Sequence, residues 1–231
     1  MPKVLFLRVG IDCGCGGALG PISPNRSFEY VPIPERISVG PRSVYYRDLR
    51  ARRGGTLAQY VPPRYREGPA HYDPEFETFT YGDPTSIKRG QMLRLEKGSF
   101  LVFYAGLRPI GSENGNRLYI IGFFMIESVK EIAPTKPWPP TTARQWMRNA
   151  HFRRPSPDLG LVVVRGNPGS SKLLNRAIEI SDEAQYANAL FRKRTGISGS
   201  LKRAVGRWVP PAHTKGAIRW ICQRRNTHPN G

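Results

Sequence analysis

Residues 98–129 read GSFLVFYAGLRPIGSENGNRLYIIGFFMIESV. They contain two runs of apolar, β-branched and aromatic residues, 98–107 and 118–129, which a turn around residues 111–116 separates. Two such runs on either side of a turn predict a β-hairpin. Gly122 inside the second run predicts a bulge or the close approach of another part of the chain. The hairpin favours an α+β fold with a mixed β-sheet.

Further elements are predicted on both sides of the hairpin. Residues 4–9 and 161–165 are short apolar runs that predict buried strands. Helices are predicted over residues 42–53, from Thr141 or Thr142 through Ala150, and from Ser170 or Ser171 over residues 173–178. Residues 62–84 are expected to form a long irregular loop, a kind of segment that is often functional.

The chain length is compatible with one domain over residues 1–231. The Pro-rich stretch at residues 134–140 is the best candidate for a subdivision. It would separate a β-rich core, residues 1–133, from a mixed α/β part, residues 141–231.

The chain is strongly basic, with 36 Lys plus Arg against 17 Asp plus Glu and a formal net charge of +19. A polyanionic partner, either a nucleic acid or a nucleotide, is the usual reason for such an excess. Of the basic residues 27 are Arg, which binds phosphate in a bidentate manner and stacks on bases. A biased genome composition is the alternative explanation.

The longest apolar run spans nine residues, 118–126, far fewer than the roughly 20 that a membrane helix needs. The N-terminal apolar run is also too short for a signal peptide, and three cysteines do not make a disulfide framework. We therefore expect no membrane partner and a cytoplasmic location.

Several short segments combine Arg with aromatic residues, the pairing that single-stranded or flipped nucleotides require. A solvated surface explains any one such segment, but six in one chain favour nucleic-acid binding. The predicted nucleic-acid contacts are Arg47, Arg50, Arg52, Arg53, Arg64, Arg66, Arg153, Arg154, Arg192, Arg194, Arg203 and Arg207.

Acidic residues are few, and most of the notable ones lie in the N-terminal third or in the predicted loop. If they converge, they could hold Mg²⁺ or Mn²⁺ for phosphodiester cleavage, or one could act as a general base. If they do not, they pair with the abundant Arg. The candidate catalytic residues are Glu29, His71, Asp73, Glu77, Tyr81 and Asp83.

The segment DCGCGG at residues 12–17 follows the first predicted strand. Its glycines allow the backbone to turn tightly or to approach a phosphate or a base. A zinc site would need further ligands, which are scattered in the sequence, and a redox pair or a reactive thiolate is a lesser alternative. The candidate substrate-binding residues are Asp12, Gly14, Gly16, Gly17 and Tyr104. The segment GNPGSSK at residues 166–172 departs from the phosphate-loop motif of NTPases. A phosphate on the N-terminus of the predicted helix stays possible there.

The sequence resembles the nucleotide-modification-associated domain family of the third type. The resemblance lies in LRVGID (7–12), SFEYVPIPE (27–35), DPEFE (73–77), TYGD (80–83), GSFLVFYAGL (98–107), YIIGFF (119–124), GSLKR (199–203) and GRW (206–208). It implies a role with nucleic acid or modified nucleotides and no particular reaction. The hairpin alone is similar to that of EVE and ASCH domains, which implies a PUA-like β-barrel with surrounding helices as the alternative to a mixed sheet.

Two hypotheses on function follow. The first is a module that binds a nucleic acid or a modified base, and the second is a nuclease or a base-excising or base-modifying enzyme. Convergence of Asp12, Glu29, Asp73, Glu77 and Asp83 beside one pocket would favour the enzyme, and their dispersal into ion pairs with Arg would favour the binding module. A basic ribosome- or chromatin-associated protein is a third possibility.

Overall fold

A computed structural model describes residues 1–12, 14, 17–37, 40, 42–112, 115, 117–133, 146–155 and 158–223. Within these ranges the strands are β1 (Val4–Arg8), β2 (Gly20–Ile22), β3 (Ile33–Pro34), β4 (Val44–Tyr45), β5 (Pro69–His71), β6 (Thr80–Asp83), β7 (Phe100–Pro109), β8 (Arg117–Glu131), β9 (Val162–Gly166), β10 (Lys172–Glu179) and β11 (Arg207–Trp208). The α-helices are α1 (Ser86–Met92), α2 (Ala150–Arg153), α3 (Ala189–Thr195) and α4 (Pro211–Gln223), and short 3-10 helices span Leu57–Tyr60 and Pro63–Tyr65.

The predicted hairpin forms the centre of the larger sheet. β7 and β8 are antiparallel, with Leu101 opposite Phe124 and Leu107 opposite Arg117. The sheet has the order β11-β1-β7-β8-β9-β6, with β2 also on β7 and β10 also on β8, and β1 and β2 run parallel to β7. The described strands form open sheets and do not close into a barrel, so the α+β fold with a mixed sheet is confirmed.

Aromatic side chains cover both faces of this sheet. On one face Phe6 of β1 packs edge-to-face on Phe191 of α3, with ring centroids 5.2 Å apart. On the other face Phe76 contacts Phe103 and Phe124, with ring centroids 5.7 and 5.3 Å from its own. Burial on both faces explains why β7 is a nearly continuous apolar run.

A second sheet has three short strands in the order β3-β5-β4. β5 ends at His71, and the chain reaches β6 at Thr80, where it pairs with β9 of the larger sheet. Residues 71–80 therefore connect the two sheets.

The strands predicted at residues 4–9 and 161–165 are confirmed as β1 and β9. The helix predicted over residues 42–53 is wrong, because this segment forms β4 followed by turns. The irregular loop predicted over residues 62–84 is wrong in part, since it contains β5, β6 and a 3-10 helix. The predicted caps Thr141 and Thr142 lie outside the described residues.

The helix predicted over residues 173–178 is also wrong, because these residues belong to β10. Leu173 pairs with Gly122 and Ile178 with Ile120, with a register shift between them. Although the apolar spacing suits a helix, the segment forms a strand because it pairs with the backbone N–H and C=O groups along β8. Ser171 accepts a hydrogen bond from the Met125 amide at 3.1 Å and caps no helix, so the helix N-terminus predicted to hold a phosphate does not form.

No helix in the described ranges has the length and apolar character needed to cross a membrane.

Gly122 lies where another residue would not fit, as the sequence predicts. A Cβ atom at this position would be 2.6 Å from Phe76 Cε1 and 2.7 Å from the Lys172 carbonyl oxygen. We expect Gly122→Ala to lower the free energy of unfolding by about 1–3 kcal/mol, because the backbone of β10 must move. Chemical denaturation measures the change.

Gly90→Ala is the matched control. Gly90 lies in α1, and an added Cβ would meet no atom within 4 Å. Alanine there should leave stability unchanged or raise it by up to about 1 kcal/mol. If the Gly122→Ala and Gly90→Ala variants are equally stable, the close approach of Phe76 and Lys172 to Gly122 is contradicted.

Candidate active site

A cavity of about 370 Å³ lies where β1, β5, β6 and α2 meet. Clefts of roughly 300–1,000 Å³ are typical of small-molecule sites. The residues of its wall that carry acid, base or ligand groups include Asp12, His71, Asp73, Tyr81, Asp83 and His151.

Two histidines in the wall are each oriented by a carboxylate. His71 Nδ1 lies 2.8 Å from Glu35 Oε2, and His151 Nδ1 lies 2.8 Å from Asp158 Oδ2. The two imidazole rings meet edge-to-face, with centroids 4.8 Å apart. Both pairs are largely buried, so the rings have little freedom to turn.

Arg154 connects the two histidine–carboxylate pairs. Its Nη2 and Nε atoms donate to the two Glu35 oxygens at 3.1 Å each, and Nη1 donates to Asp158 Oδ1 at 2.7 Å. The guanidinium also lies 3.2 Å from both Nδ1 atoms. Since an arginine only donates, each Nδ1 satisfies its closer carboxylate by carrying a proton.

These contacts shift the pKa values of the network. Burial alone would raise the pKa of Glu35, but hydrogen bonds from His71 and Arg154 lower it to about 2. Burial alone would lower the pKa of His151, but hydrogen bonds to Asp158 and Asp73 raise it to about 9. The carboxylate of Glu35 is therefore charged at neutral pH.

Asp73 lies between the two rings. Its Oδ2 atom is 3.4 Å from His151 Nε2 and 4.0 Å from His71 Nε2. The same carboxylate accepts hydrogen bonds from the Gly82 amide at 2.9 Å and from Asn149 Nδ2 at 3.1 Å. Two imidazoles and a carboxylate in this arrangement suit two kinds of chemistry, proton transfer and metal ligation.

Asp83 forms a second polar group in the same cavity. Its Oδ2 atom accepts from Lys88 Nζ at 2.8 Å and from the Tyr81 hydroxyl at 3.0 Å. Thr85 donates to Oδ1 through its amide, at 2.8 Å, and its hydroxyl. Burial, followed by the neighbouring carboxylates of Asp83 and Asp73, raises the pKa of Tyr81 well above its usual value.

The glycine-rich segment borders the cavity through Asp12. Its Oδ2 atom lies 3.6 Å from Arg8 Nη2, and its Oδ1 atom accepts from the Gly14 amide at 2.8 Å. Gly17 adopts φ +72°, the left-handed conformation that favours glycine. Gly16, Cys13 and Cys15 lie outside the described residues.

Tyr104, another predicted substrate contact, lies inside β7 with no exposed surface. Its burial raises the pKa of the phenol, and the nearby Arg207 acts in the opposite direction. Tyr104 is not among the residues that line the cavity.

Glu29 and Glu77 line a different depression, of about 350 Å³. Glu29 accepts the backbone amides of Arg52 and Arg53, both at 2.9 Å, and Glu77 pairs with Arg148. Of the five acids that were to discriminate the two functions, Asp12, Asp73 and Asp83 share one cavity and the other two do not.

The arginines predicted to bind nucleic acid divide into exposed and internally bonded groups. Arg154 is held by Glu35 and Asp158, and the Arg207 guanidinium donates to the Ser200 carbonyl oxygen. Arg52 and Arg53 hold Glu29 through their backbone amides, while Arg153 is half-buried. The exposed members are Arg47, Arg50, Arg52, Arg53, Arg64, Arg66, Arg192, Arg194 and Arg203.

Sequence reasoning did not identify His151, Asp158 or the role of Glu35 in this site. His151 is 80 positions from His71, and no local ligand spacing connects them. Their meeting follows from the pairing of β6 with β9 and from α2, and neither is visible as a local motif.

A family model described as nucleotide modification associated domain 3 matches residues 3–225. The chain belongs to this family. The match confirms the resemblance found in the sequence and associates the chain with nucleotide modification. Comparisons with curated proteins and with solved structures gave no match.

The contacts of the Asp83 carboxylate should make the stability of the protein depend on pH. Burial alone would raise its pKa, but Lys88 and Thr85 lower it below the usual value. Its contribution to stability is therefore present above about pH 4 and disappears as the pH falls through the lowered pKa. We expect Asp83→Asn to cost about 1–3 kcal/mol in unfolding free energy at pH 7. Denaturation between pH 7 and pH 3 should show the difference from the native chain shrinking below about pH 4.

Glu67→Gln is the control, because Glu67 pairs with Arg47 while 79% of its side chain is exposed. We expect it to change stability by less than about 1 kcal/mol at any of these pH values. A pH-independent loss in Asp83→Asn would contradict the role given to its charge.

Proposed function

We propose that this chain is an enzyme of nucleotide modification that takes the reacting nucleotide or base into the cavity beside Asp73. One observation carries the proposal. His71 and His151 are each oriented by a largely buried carboxylate, and both lie beside Asp73 at the cavity wall.

The energetics of burial support an enzyme over a simple binding module. Removing several charged groups from water costs more than their pairing returns in many proteins, so such clusters are weak evidence for a stabilising role. Clusters with strongly shifted pKa values in a cleft are candidates for functional sites. Glu35 and His151 carry such shifts within one connected network.

The shape of the cavity supports a nucleotide-sized substrate. Its volume of about 370 Å³ falls in the range of small-molecule sites. Asp83, Tyr81 and Asp12 offer acceptors and donors that can read the polar edge of a base, while the histidine–aspartate centre in the same wall meets the reacting atom. Enzymes that act on bases within a polymer bring the target into such a pocket by flipping it out of the stack.

Cations near the cavity support a phosphate-bearing substrate. Lys88 and Arg8 line it, and exposed Arg36 and Arg203 are the sequence neighbours of the wall residues Ile37 and Ala204. These cations can hold the phosphates that flank a nucleotide, because Arg and Lys contacts to phosphate position a strand without reading its sequence.

A second candidate, a module that recognises a modified base, is favoured by one observation. The Asp73 and Asp83 carboxylates already accept several hydrogen bonds from the protein. Fully bonded carboxylates make a rigid pocket and leave less capacity for chemistry. Turnover separates this candidate from the enzyme.

The enzyme proposal predicts loss of turnover without loss of binding in His71→Ala. The purified full-length chain is incubated with nucleotides, DNA and RNA, both plain and modified, with and without divalent metal ions. Mass spectrometry of the digested nucleosides then measures product. We expect His71→Ala to lower turnover by about 10²- to 10⁴-fold, since it removes a positioned acid–base or ligand group.

His213→Ala, in α4, is the control and should keep full turnover. Binding without any altered nucleoside, on every substrate tried, would support the recognition module instead. Equal turnover in His71→Ala and in the native chain would contradict the assignment of the site.

The cations near the cavity predict that binding of nucleic acid depends on the salt concentration. We expect Arg203→Ala to reduce the log–log salt slope of affinity by about 0.9 on duplex DNA or about 0.7 on single strands, the value for one lost phosphate contact. Fluorescence anisotropy over a range of salt concentrations gives the slope. Arg176→Ala serves as the control, because Arg176 is an exposed residue of β10 that lines a different depression. The same slope in both variants would place the nucleic acid elsewhere.

A further inference from the structure

We infer that His71, Asp73 and His151 bind one divalent transition-metal ion at the cavity wall. The catalytic meaning of this ion rests on the proposed function, but its binding does not. One ligand atom from each of the three residues lies within 4.8 Å of the others, and all three residues line the cavity.

The distances between the candidate ligand atoms are close to those of a metal site. Bonds of about 2.1 Å from a metal to nitrogen and oxygen place neighbouring ligand atoms roughly 3–3.5 Å apart. Asp73 Oδ2 and His151 Nε2 meet this value at 3.4 Å, and His71 Nε2 is 4.0 Å from the same oxygen. Binding requires the three ligand atoms, which lie within 4.8 Å of one another, to draw closer around the ion.

The outer contacts of both rings are those that support metal ligation. Metal-binding histidines usually donate the other ring N–H to a carboxylate or a carbonyl group, which fixes the tautomer and orients the ring. His71 donates Nδ1–H to Glu35, and His151 donates Nδ1–H to Asp158. With Nδ1 protonated, the Nε2 atom of a neutral ring carries a lone pair that can bind a metal ion.

The charges of the network also call for a divalent cation. Glu35, Asp73 and Asp158 contribute three negative charges, and Arg154, which bridges the outer two, contributes one positive charge. In the metal-bound form, in which both imidazoles are neutral, these four groups carry a net charge of −2 in a region with little exposed surface. A divalent ion neutralises it.

Protons on the two rings are the alternative source of positive charge. His151 Nε2 lies 3.1 Å from the Gly82 carbonyl oxygen, a distance at which a protonated ring donates a hydrogen bond. Binding of the ion replaces this proton, which leaves to solvent. The ion and the proton therefore compete for the same nitrogen.

The ligand types select the class of metal. Imidazole nitrogen favours Zn²⁺, Fe²⁺, Co²⁺ or Ni²⁺, whereas Mg²⁺ prefers an all-oxygen set. Two histidines and one carboxylate also leave coordination positions open. These positions face the cavity, since the three ligands belong to its wall. The ligand set thus favours such a metal over the Mg²⁺ that a cluster of carboxylates alone would hold.

The test is direct titration of the full-length chain, stripped of metal by a chelator, with Zn²⁺, Co²⁺ and Mg²⁺. Calorimetry is expected to give one equivalent of bound Zn²⁺, and Co²⁺ should produce visible absorption bands of a nitrogen- and oxygen-ligated ion. Excess Mg²⁺ should not displace either ion. His71→Ala and His151→Ala should each weaken Zn²⁺ binding by more than the roughly 10- to 100-fold that loss of an outer-shell partner costs. His213→Ala should bind as the native chain does.

A second measurement, on the native chain, tests the site if the alanine variants fail to fold. Long-range ¹H–¹⁵N spectra of the native chain, which has four histidines, should show the Nε2 resonances of His71 and His151 shifting on addition of Zn²⁺. Absence of stoichiometric binding, or unchanged affinity in both folded alanine variants, would overturn the metal site. Full turnover of metal-stripped protein would overturn its catalytic role and leave the proposed enzyme intact. Tight Zn²⁺ binding without turnover on any nucleotide would support the metal site and overturn the proposed function.

Discussion

The Asp73 carboxylate, with 1% of its side chain exposed, joins three segments that are distant in sequence. It accepts the Gly82 amide at the centre of β6 and the Asn149 side chain, which in turn caps α2 by accepting the His151 amide. A buried charge is tolerated only where hydrogen bonds and counter-charges replace water. The path of the chain from the small sheet to the large one, and the position of His151, both depend on satisfying this one group.

Arg154 gives the same site its electrostatic balance. Its guanidinium spans Glu35 and Asp158, so that each carboxylate is held in the orientation in which it also receives a histidine Nδ1–H. The planar fork of an arginine suits such a bridge, and a lysine would reach one carboxylate at a time. This arginine of a very basic chain therefore acts inside the protein, while others remain exposed on the surface.

The acidic residues fall into two groups, and this division bears on the choice between an enzyme and a binding module. Asp12, Asp73 and Asp83 line one cavity, whereas Glu77 forms a surface ion pair with Arg148 and Glu29 holds the backbone of residues 52–53. Acidic residues that are scarce in the sequence thus serve different purposes. Residue type alone did not separate the two groups, because Asp73 and Glu77 belong to one segment, residues 71–80, and yet line different cavities.

The sequence by itself determined the central hairpin, β1, β9, the close approach at Gly122 and the family, because continuous apolar runs and a glycine within a strand are local signals of burial. It also directed attention to His71, Asp73 and Asp83. Only the tertiary structure decided that residues 173–178 form a strand, since the edge of β8 outweighs a helical spacing. Only the tertiary structure brought His151 and Asp158 to His71, because strand pairing and a buried charge act between residues that no local pattern connects.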